Sequence, residues 1–404
     1  MPKIAIVINS LSNGGAERTV SNITTHLPDN YDIDIILNDD SSINYDFRGN
    51  IISLKMKPKK NKLTLGYQFL AFERRIKKLR ELKKQKKYDA VISFSESANI
   101  ANILSGNRCS KTIVSVRVNL SSTSNNRIYR YIGFPLVKIL YNLADIIVAV
   151  SEGVRQDLID NFGIKEQKIC TIPNGCDIKK IKELCNEELT TKEIDLDSIE
   201  NIIITTGRLE YQKGQWHLIR ALSKLKERDV NFKLFILGEG SERSYYEELV
   251  KRMKLDNEVI FLGFCNNPFA ILAHAKLYVL PSLFEGMGNT LIEALACGIP
   301  CISTDHESGA REILAPETEI RFKNVNHVEY AEYGVLVPTF DGIKYSYDES
   351  ITNEEILMEN AIFEMLTNKK LNDEYRRKAQ QRANDFELKS MIKKWMSLIE
   401  SNMS

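Results

Sequence analysis

Pro281 to Pro300 reads PSLFEGMGNTLIEALACGIP, and the rest of the chain is best read outward from it. Before it, Leu277 to Leu280 is a short apolar run of the kind that forms a buried parallel strand. Within it, Gly286-Met287-Gly288-Asn289 forms a turn, and a helix is expected from Asn289 to Ala296, closed at Cys297-Gly298 ahead of Pro300. A strand, a glycine turn and a helix start make an anion site, because backbone N–H groups and the helix dipole converge there. The backbone from Gly286 through Thr290 is the expected cradle. Glu285 stands before the helix and Glu293 inside it, with seven residues between them. Carboxylates accept hydrogen bonds from hydroxyls. An anion flanked by two hydroxyl-binding carboxylates describes a nucleoside diphosphate lying between its ribose and a sugar.

Upstream, the strand Asn201 to Thr205 opens a βαβα series that runs through this stretch. It leads into Gly207-Arg208-Leu209-Glu210-Tyr211-Gln212-Lys213-Gly214. Arg208 offers a planar fork and Lys213 a mobile point charge, a pair suited to a diphosphate. Leu234 to Leu237 then runs into a turn at Gly238, and Val259 to Leu262 runs into Gly263-Phe264.

The first half is built the same way. Lys3 to Ile8 is a continuous β-branched strand, followed by Gly14-Gly15-Ala16-Glu17-Arg18 and an amphipathic helix. Paired glycines let the backbone approach a diphosphate closely, with Gly15 near the helix start. The dinucleotide fingerprint G-x-G-x-x-G is absent here. Further strands are expected at 33–37, 50–54, 90–94, 112–116, 144–151 and 169–173. The strand ending at Val116 delivers Arg117 and Asn119, and Arg127, Arg130 and Tyr131 follow in a loop suited to an acceptor. The polar, acidic tract Glu187 to Glu200 reads as the connection between domains. This gives an α/β protein with a first domain at 1–186, a linker at 187–200, a second domain at 201–375 and a C-terminal segment at 376–404. The segments 317–333 and 341–350 have no role legible in the sequence.

Net charge is +1, which gives no global attraction to nucleic acid, and no nucleic-acid motif is present. Charge is nonetheless uneven: Lys55 to Lys87 holds fourteen Lys or Arg against Glu73 and Glu81, about +12, leaving about −11 elsewhere. Apolar residues from Leu65 to Leu82 recur at helical spacing beside this charge, which predicts contact with an anionic membrane surface. Seven cysteines without close pairing suit a reducing compartment. No apolar run approaches the ~18 residues that span a bilayer. Met1-Pro2-Lys3 leads directly into a strand, so the expected location is cytoplasmic, peripheral on the inner face of the cell membrane.

Glu285-Gly-x-Gly, Glu293 and Gly298-x-Pro300 together resemble the E-x7-E segment of retaining family 4 glycosyltransferases. Gly14 to Arg18 resembles the N-terminal signature of those enzymes, and Gly207 to Gly214 their G-R-x-x-x-x-K-G loop. The resemblance runs from Ile4 to about Pro338. It implies the GT-B architecture, two Rossmann-like domains across a cleft, with the last helix crossing back to the first. It implies transfer of a hexose or N-acetylhexosamine from a UDP-sugar to a glycan or polyprenyl-diphosphate-linked acceptor, in bacterial surface-polysaccharide or lipid-linked oligosaccharide synthesis. No cofactor is expected; Arg208 and Lys213 stand where other enzymes use a divalent ion. Glu285 would hold the sugar, Glu293 the ribose, and the backbone near Gly263-Phe264 the base. Family members often have histidine where Arg117 stands; arginine stays protonated and cannot shuttle a proton, so an electrostatic or hydrogen-bonding role replaces it. An epimerase, a phosphorylase-like enzyme or a non-catalytic sugar-binding scaffold on the same fold are the other readings.

Overall fold

The structure is a computed structural model describing residues 1–12, 14–56, 65–106, 108–122, 133–188, 196–320 and 326–401, with 65–69 and 197 described by backbone alone. Arg127, Arg130 and Tyr131 lie outside the described residues, as does 57–64 of the basic segment. The chain forms two compact units, Met1–Gly175 with Leu388–Ser404, and Cys176–Glu387.

The first unit runs Lys3–Ile8 (β1), Gly15–His26 (α1), Asp32–Leu37 (β2), Asn50–Ser53 (β3), Leu65–Lys86 (α2), Ala90–Phe94 (β4), Glu96–Leu104 (α3), Lys111–Val116 (β5), Phe134–Tyr141 (α4), Ile146–Ala149 (β6), Glu152–Asp160 (α5) and Ile169–Thr171 (β7). Its strands pair in parallel in the order β3-β2-β1-β4-β5-β6-β7. Continuous Ile and Val runs form them because both faces of a parallel sheet are covered by helices. Order reverses between β1 and β4, so the loops after those strands diverge and leave a crevice at their C-terminal ends.

The second unit begins earlier than the acidic tract suggests. It contains Ile178–Cys185 (α6), Ile202–Thr206 (β8), Gln215–Lys226 (α7), Lys233–Leu237 (β9), Arg243–Arg252 (α8), Val259–Gly263 (β10), Pro268–Leu272 (α9), Leu277–Leu280 (β11), Asn289–Ala296 (α10), Cys301–Thr304 (β12), Ala310–Leu314 (α11), Glu329–Tyr330 (β13), Val335–Val337 (β14), Asn353–Thr367 (α12) and Lys369–Ala383 (α13). Strand order is β10-β9-β8-β11-β12-β14-β13, parallel except for β13. The reversal here falls between β8 and β11. The final helix Leu388–Glu400 (α14) returns to the first unit, where Trp395 is fully buried beside Phe94 at 5.8 Å between ring centroids.

The two chain passages between units run side by side, with the Cys176 N–H donating to the Phe386 carbonyl at 2.9 Å. The divide therefore falls at 175/176 and 387/388, whereas the sequence reading set it at 187–200 and 376. Helix α6 packs on α9 and α10, and α13 packs on α10. Both elements are amphipathic and belong to the unit whose apolar face they cover.

Segment 341–350 acquires a role in this unit. Arg220 of α7 is fully buried, donating from Nε to Glu355 at 2.9 Å and from its other nitrogens to the carbonyls of Ser346 (2.7 Å), Glu349 (3.3 Å) and Ser350 (2.8 Å). His217 Nδ1 lies 2.7 Å from the same carboxylate, and Trp216 Nε1 donates to Ile343 O at 3.1 Å. A guanidinium can satisfy loop carbonyls and a carboxylate together, so the segment is pinned over α7. From 317–333, Glu329 in the edge strand β13 accepts from Arg311 of α11 at 2.7 Å, and Arg311 also pairs with Asp305 at 2.5 Å. Arg220→Met should leave Glu355 buried without its guanidinium partner and the carbonyls of Ser346, Glu349 and Ser350 without their donor, lowering stability by ~3–5 kcal/mol. Urea unfolding checks this, with the half-buried Lys224→Met, on the same helix, expected to shift stability by no more than ~0.5 kcal/mol.

Candidate active site

Both loops at the second unit's switch point carry the predicted charges. The loop after β8 holds Arg208 and Lys213, and the loop after β11 holds Glu285. The two are brought into contact: Lys213 Nζ lies 2.5 Å from Glu285 Oε1. Glu285 is buried and also accepts from Ser282 Oγ at 2.8 Å and from Gln212 Nε2 at 3.3 Å. Burial pushes its carboxyl pKa up, but Lys213, His306 and the hydrogen bonds from Lys213 and Ser282 outweigh that and hold it below its ordinary value.

Backbone contacts fix the loops to each other. Gly214 has φ 60°, and a Cβ there would stand 2.3 Å from the Pro281 carbonyl oxygen, so only glycine permits this approach. Leu283 N–H donates to Gln212 O at 2.9 Å, and Gln212 Nε2 returns to Phe284 O at 2.9 Å. A third loop, after β12, supports them from beneath. Thr304 Oγ1 donates to Ser282 O at 2.5 Å and Ser308 Oγ to Glu285 O at 2.7 Å. Gly309, at φ 89°, packs under the 286–288 turn with its Cβ position 2.8 Å from Met287 Cα.

Above this base the turn 286–288 enters α10, whose bounds match the sequence reading at both ends. Gly288 precedes it, and Asn289 and Thr290 form its first turn. Glu293 is buried on the same helix. Arg208 is exposed and has no ion pair among the described residues. The Gly238 N–H donates to Gly263 O at 2.8 Å, joining those two loops, and Phe264 beside them is 67% exposed.

Four predicted residues belong to the first unit. Gly14 precedes α1 and Gly15 begins it; Thr19 Oγ1 donates to Gly15 O at 2.9 Å. Arg117 Nη2 donates to Thr19 Oγ1 at 2.8 Å and to Asn174 Oδ1, while Nη1 is buried without a partner among the described residues. Burial pushes the Arg117 pKa down to about 9, which still leaves a cation at neutral pH beside the start of α1. Asn119 is buried, and its Oδ1 accepts from the Ser122 N–H and hydroxyl at 3.0 and 2.9 Å. Its amide oxygen shapes the turn after β5.

Each unit thus carries charged or glycine-bearing loops at its own switch point, and the chain as a whole matches known proteins. Residues 13–180 match the model for Glycosyltransferase Family 4, and residues 186–333 the model for Glycosyl transferases group 1. A Campylobacter jejuni N-acetylgalactosaminyltransferase, named for a diphospho-undecaprenol-linked acceptor, is 30% identical over 96% of each chain. The chain belongs to the family 4 glycosyltransferases. An uncharacterized glycosyltransferase of Methanocaldococcus jannaschii is 33% identical over 85% of this chain and 86% of its own. In fold, this glycosyltransferase matches the GT-B enzyme HepE of Anabaena, solved with UDP, at a TM-score of 0.71 and 18% identity, over 99% of this chain and all of that one.

The sequence reading missed Ser282, Gln212 and His306. His306 is buried beside Glu285; burial drives its pKa down while Glu285 and Asp305 oppose the shift. A lone histidine after a strand carries no pattern that would single it out. Among the described residues no group of His, Cys, Asp and Glu could hold a metal ion.

The glycosyltransferase should lose stability when the ion pair is broken. Lys213→Ala leaves a buried carboxylate unpaired, at a cost of ~3 kcal/mol near neutral pH. Lys213 lowers the folded pKa of Glu285, so its stabilisation is present above the unfolded carboxyl pKa and is lost as pH falls through the folded one. The stability gap between Lys213→Ala and the parent chain should therefore be widest near pH 7 and narrow below pH ~4. Urea denaturation across that range reads it directly.

Proposed function

We propose that this enzyme is a retaining, metal-independent glycosyltransferase that moves a hexose or N-acetylhexosamine from a UDP-sugar to a polyprenyl-diphosphate-linked or glycan acceptor. The observation that carries the reading is the Lys213–Glu285 pair, held between two switch-point loops beside the start of α10. As the glycosidic bond to the nucleotide breaks, negative charge grows on the β-phosphate. Arg208, Lys213 and the N–H groups from Gly286 to Thr290 neutralise it in place of a divalent ion. Glu285, oriented by Ser282 and Gln212, receives the sugar hydroxyls. Glu293 binds the ribose, and Gly263 with the exposed ring of Phe264 meets the base. Gly238 gives the backbone room beside them.

On the first unit, Gly14, Gly15 and Arg117 offer N–H groups and a cation to substrate. Asn119 acts through the shape of its turn. The named activity of the Campylobacter relative supports an N-acetylhexosamine and a lipid-linked acceptor. The UDP in HepE supports the choice of nucleotide.

A lipid-linked acceptor places the enzyme on the cytoplasmic face of the cell membrane, with the basic segment 55–87 meeting anionic lipid. That segment divides its charge. Lys83 is buried, donating to Asn102 O, Gly106 O and Thr112 Oγ1 at 3.0, 2.8 and 3.3 Å. Arg75 is also buried, and Lys78 reaches Leu54 O at 3.2 Å. Arg74, Lys77, Lys84, Lys86 and Lys87 remain exposed and form the membrane-facing part.

Incubation with radiolabelled UDP-sugars, with and without polyprenyl-diphosphate acceptors, tests the reading. Transfer to acceptor with retained configuration, undiminished by chelator, is the expected result. Lys213→Ala and Glu285→Ala should each lower kcat at least ~100-fold. Change of the sugar without acceptor would point to an epimerase, and binding without turnover to a scaffold.

A further inference from the structure

Helix α4, Phe134–Tyr141, is apolar on every side, with Lys138 as its one charged residue. Helices of that composition are ordinarily enclosed in a core or in lipid. Here one side is enclosed: Val137, Leu140 and Tyr141 are buried, and Phe134 packs on Phe162 at 4.6 Å between centroids. The other side is open. Leu136 is 45% exposed, Ile139 65% and Leu143, just past the helix, 57%. Their spacing of three and four puts them in one stripe. Helix α4 packs on α3, whose last residue Leu104 is also exposed.

The rim of this surface is basic. Arg80 donates to the carbonyls of Leu104 and Ser105 at 2.9 and 3.4 Å, so its guanidinium stands at the end of α3. Arg108, Lys138 and Lys165 are exposed around it, and the Lys165 N–H donates to Asn142 Oδ1 at the end of α4. The neighbouring acid Glu166 is paired with Arg155 at 2.5 Å. An apolar stripe rimmed by cations complements a layer of anionic headgroups over acyl chains.

We propose that the outer side of α4 is the element of this enzyme that inserts into an anionic bilayer, with Leu136, Ile139 and Leu143 below the headgroups. This rests on the lipid-linked acceptor proposed above, and it moves the membrane anchor from the lysines of α2 to an apolar stripe. Charge on α2 then adds attraction without depth.

The test is sedimentation of the full chain with vesicles of phosphatidylglycerol and phosphatidylcholine, without acceptor or donor. The double variant Leu136→Glu/Ile139→Glu should bind on the order of 100-fold more weakly, about one tenfold step for each buried side chain. It should keep the parent melting temperature, and Ile356→Glu, exposed in the second unit, should bind as the parent does. In Ile139→Trp, lipids brominated on the acyl chain should quench the new fluorescence. Unchanged sedimentation of the double variant, or no quenching, would overturn the proposal. So would light scattering showing that the stripe joins two copies of the chain in solution. Vesicle binding is read without turnover, so a chain that binds but transfers no sugar would refute the proposed reaction and leave this surface standing.

Discussion

A buried carboxylate is tolerated only when something positive or hydrogen-bonding faces it. Glu285 meets that condition through Lys213, and the loops after β8 and β11 are arranged around the contact. Each partner comes from a different strand, so the pair ties β8 to β11 across the point where strand order reverses. Glycine at 214 is required for the loops to come close enough, and Thr304 and Ser308 hold the backbone of that loop at Ser282 and Glu285 respectively. The pair also fixes where the Lys213 ammonium stands, since one of its hydrogen bonds is committed to Glu285.

Topology explains why each unit opens a crevice at its strand ends. Each sheet starts in its middle, winds outward and returns to the opposite side, and each return opens a crevice at the strand ends. In the first unit that crevice lies beside Gly14, Gly15 and Arg117; in the second it lies beside Arg208, Lys213 and Glu285. The same doubly wound scaffold is thus used twice in one chain, with cations and a helix start near each switch point.

Local patterns were legible in the sequence and long-range ones were not. Strands β1, β4 and β11 and helix α10 have the bounds read from their β-branched runs and glycine signals. Charged loops could be placed after strands, which located Arg208, Lys213 and Glu285, and the helix expected at 289–296 located Glu293. The contact between Lys213 and Glu285 spans 72 positions, and no periodicity encodes it. The unit boundary was misplaced because an acidic, polar tract looks like a connection, whereas the actual crossing at Gly175-Cys176 is marked by packing of α6 on α9 and α10. Charge counting likewise overstated the exposed face of α2, since Arg75 and Lys83 turn inward to carbonyl and hydroxyl partners. Segment 341–350 gained its role only through Arg220, whose hydrogen bonds reach carbonyls 126 to 130 residues away.

The central claim is that Lys213, kept in place by Glu285, is the cation that meets the donor's diphosphate. A crystal structure of the enzyme with UDP examines it most directly. The account predicts phosphate oxygens within hydrogen-bonding reach of Lys213 Nζ and of the N–H groups at the start of α10, with the ribose against Glu293. A nucleotide bound elsewhere, with Lys213 and Glu285 paired and untouched, would contradict it.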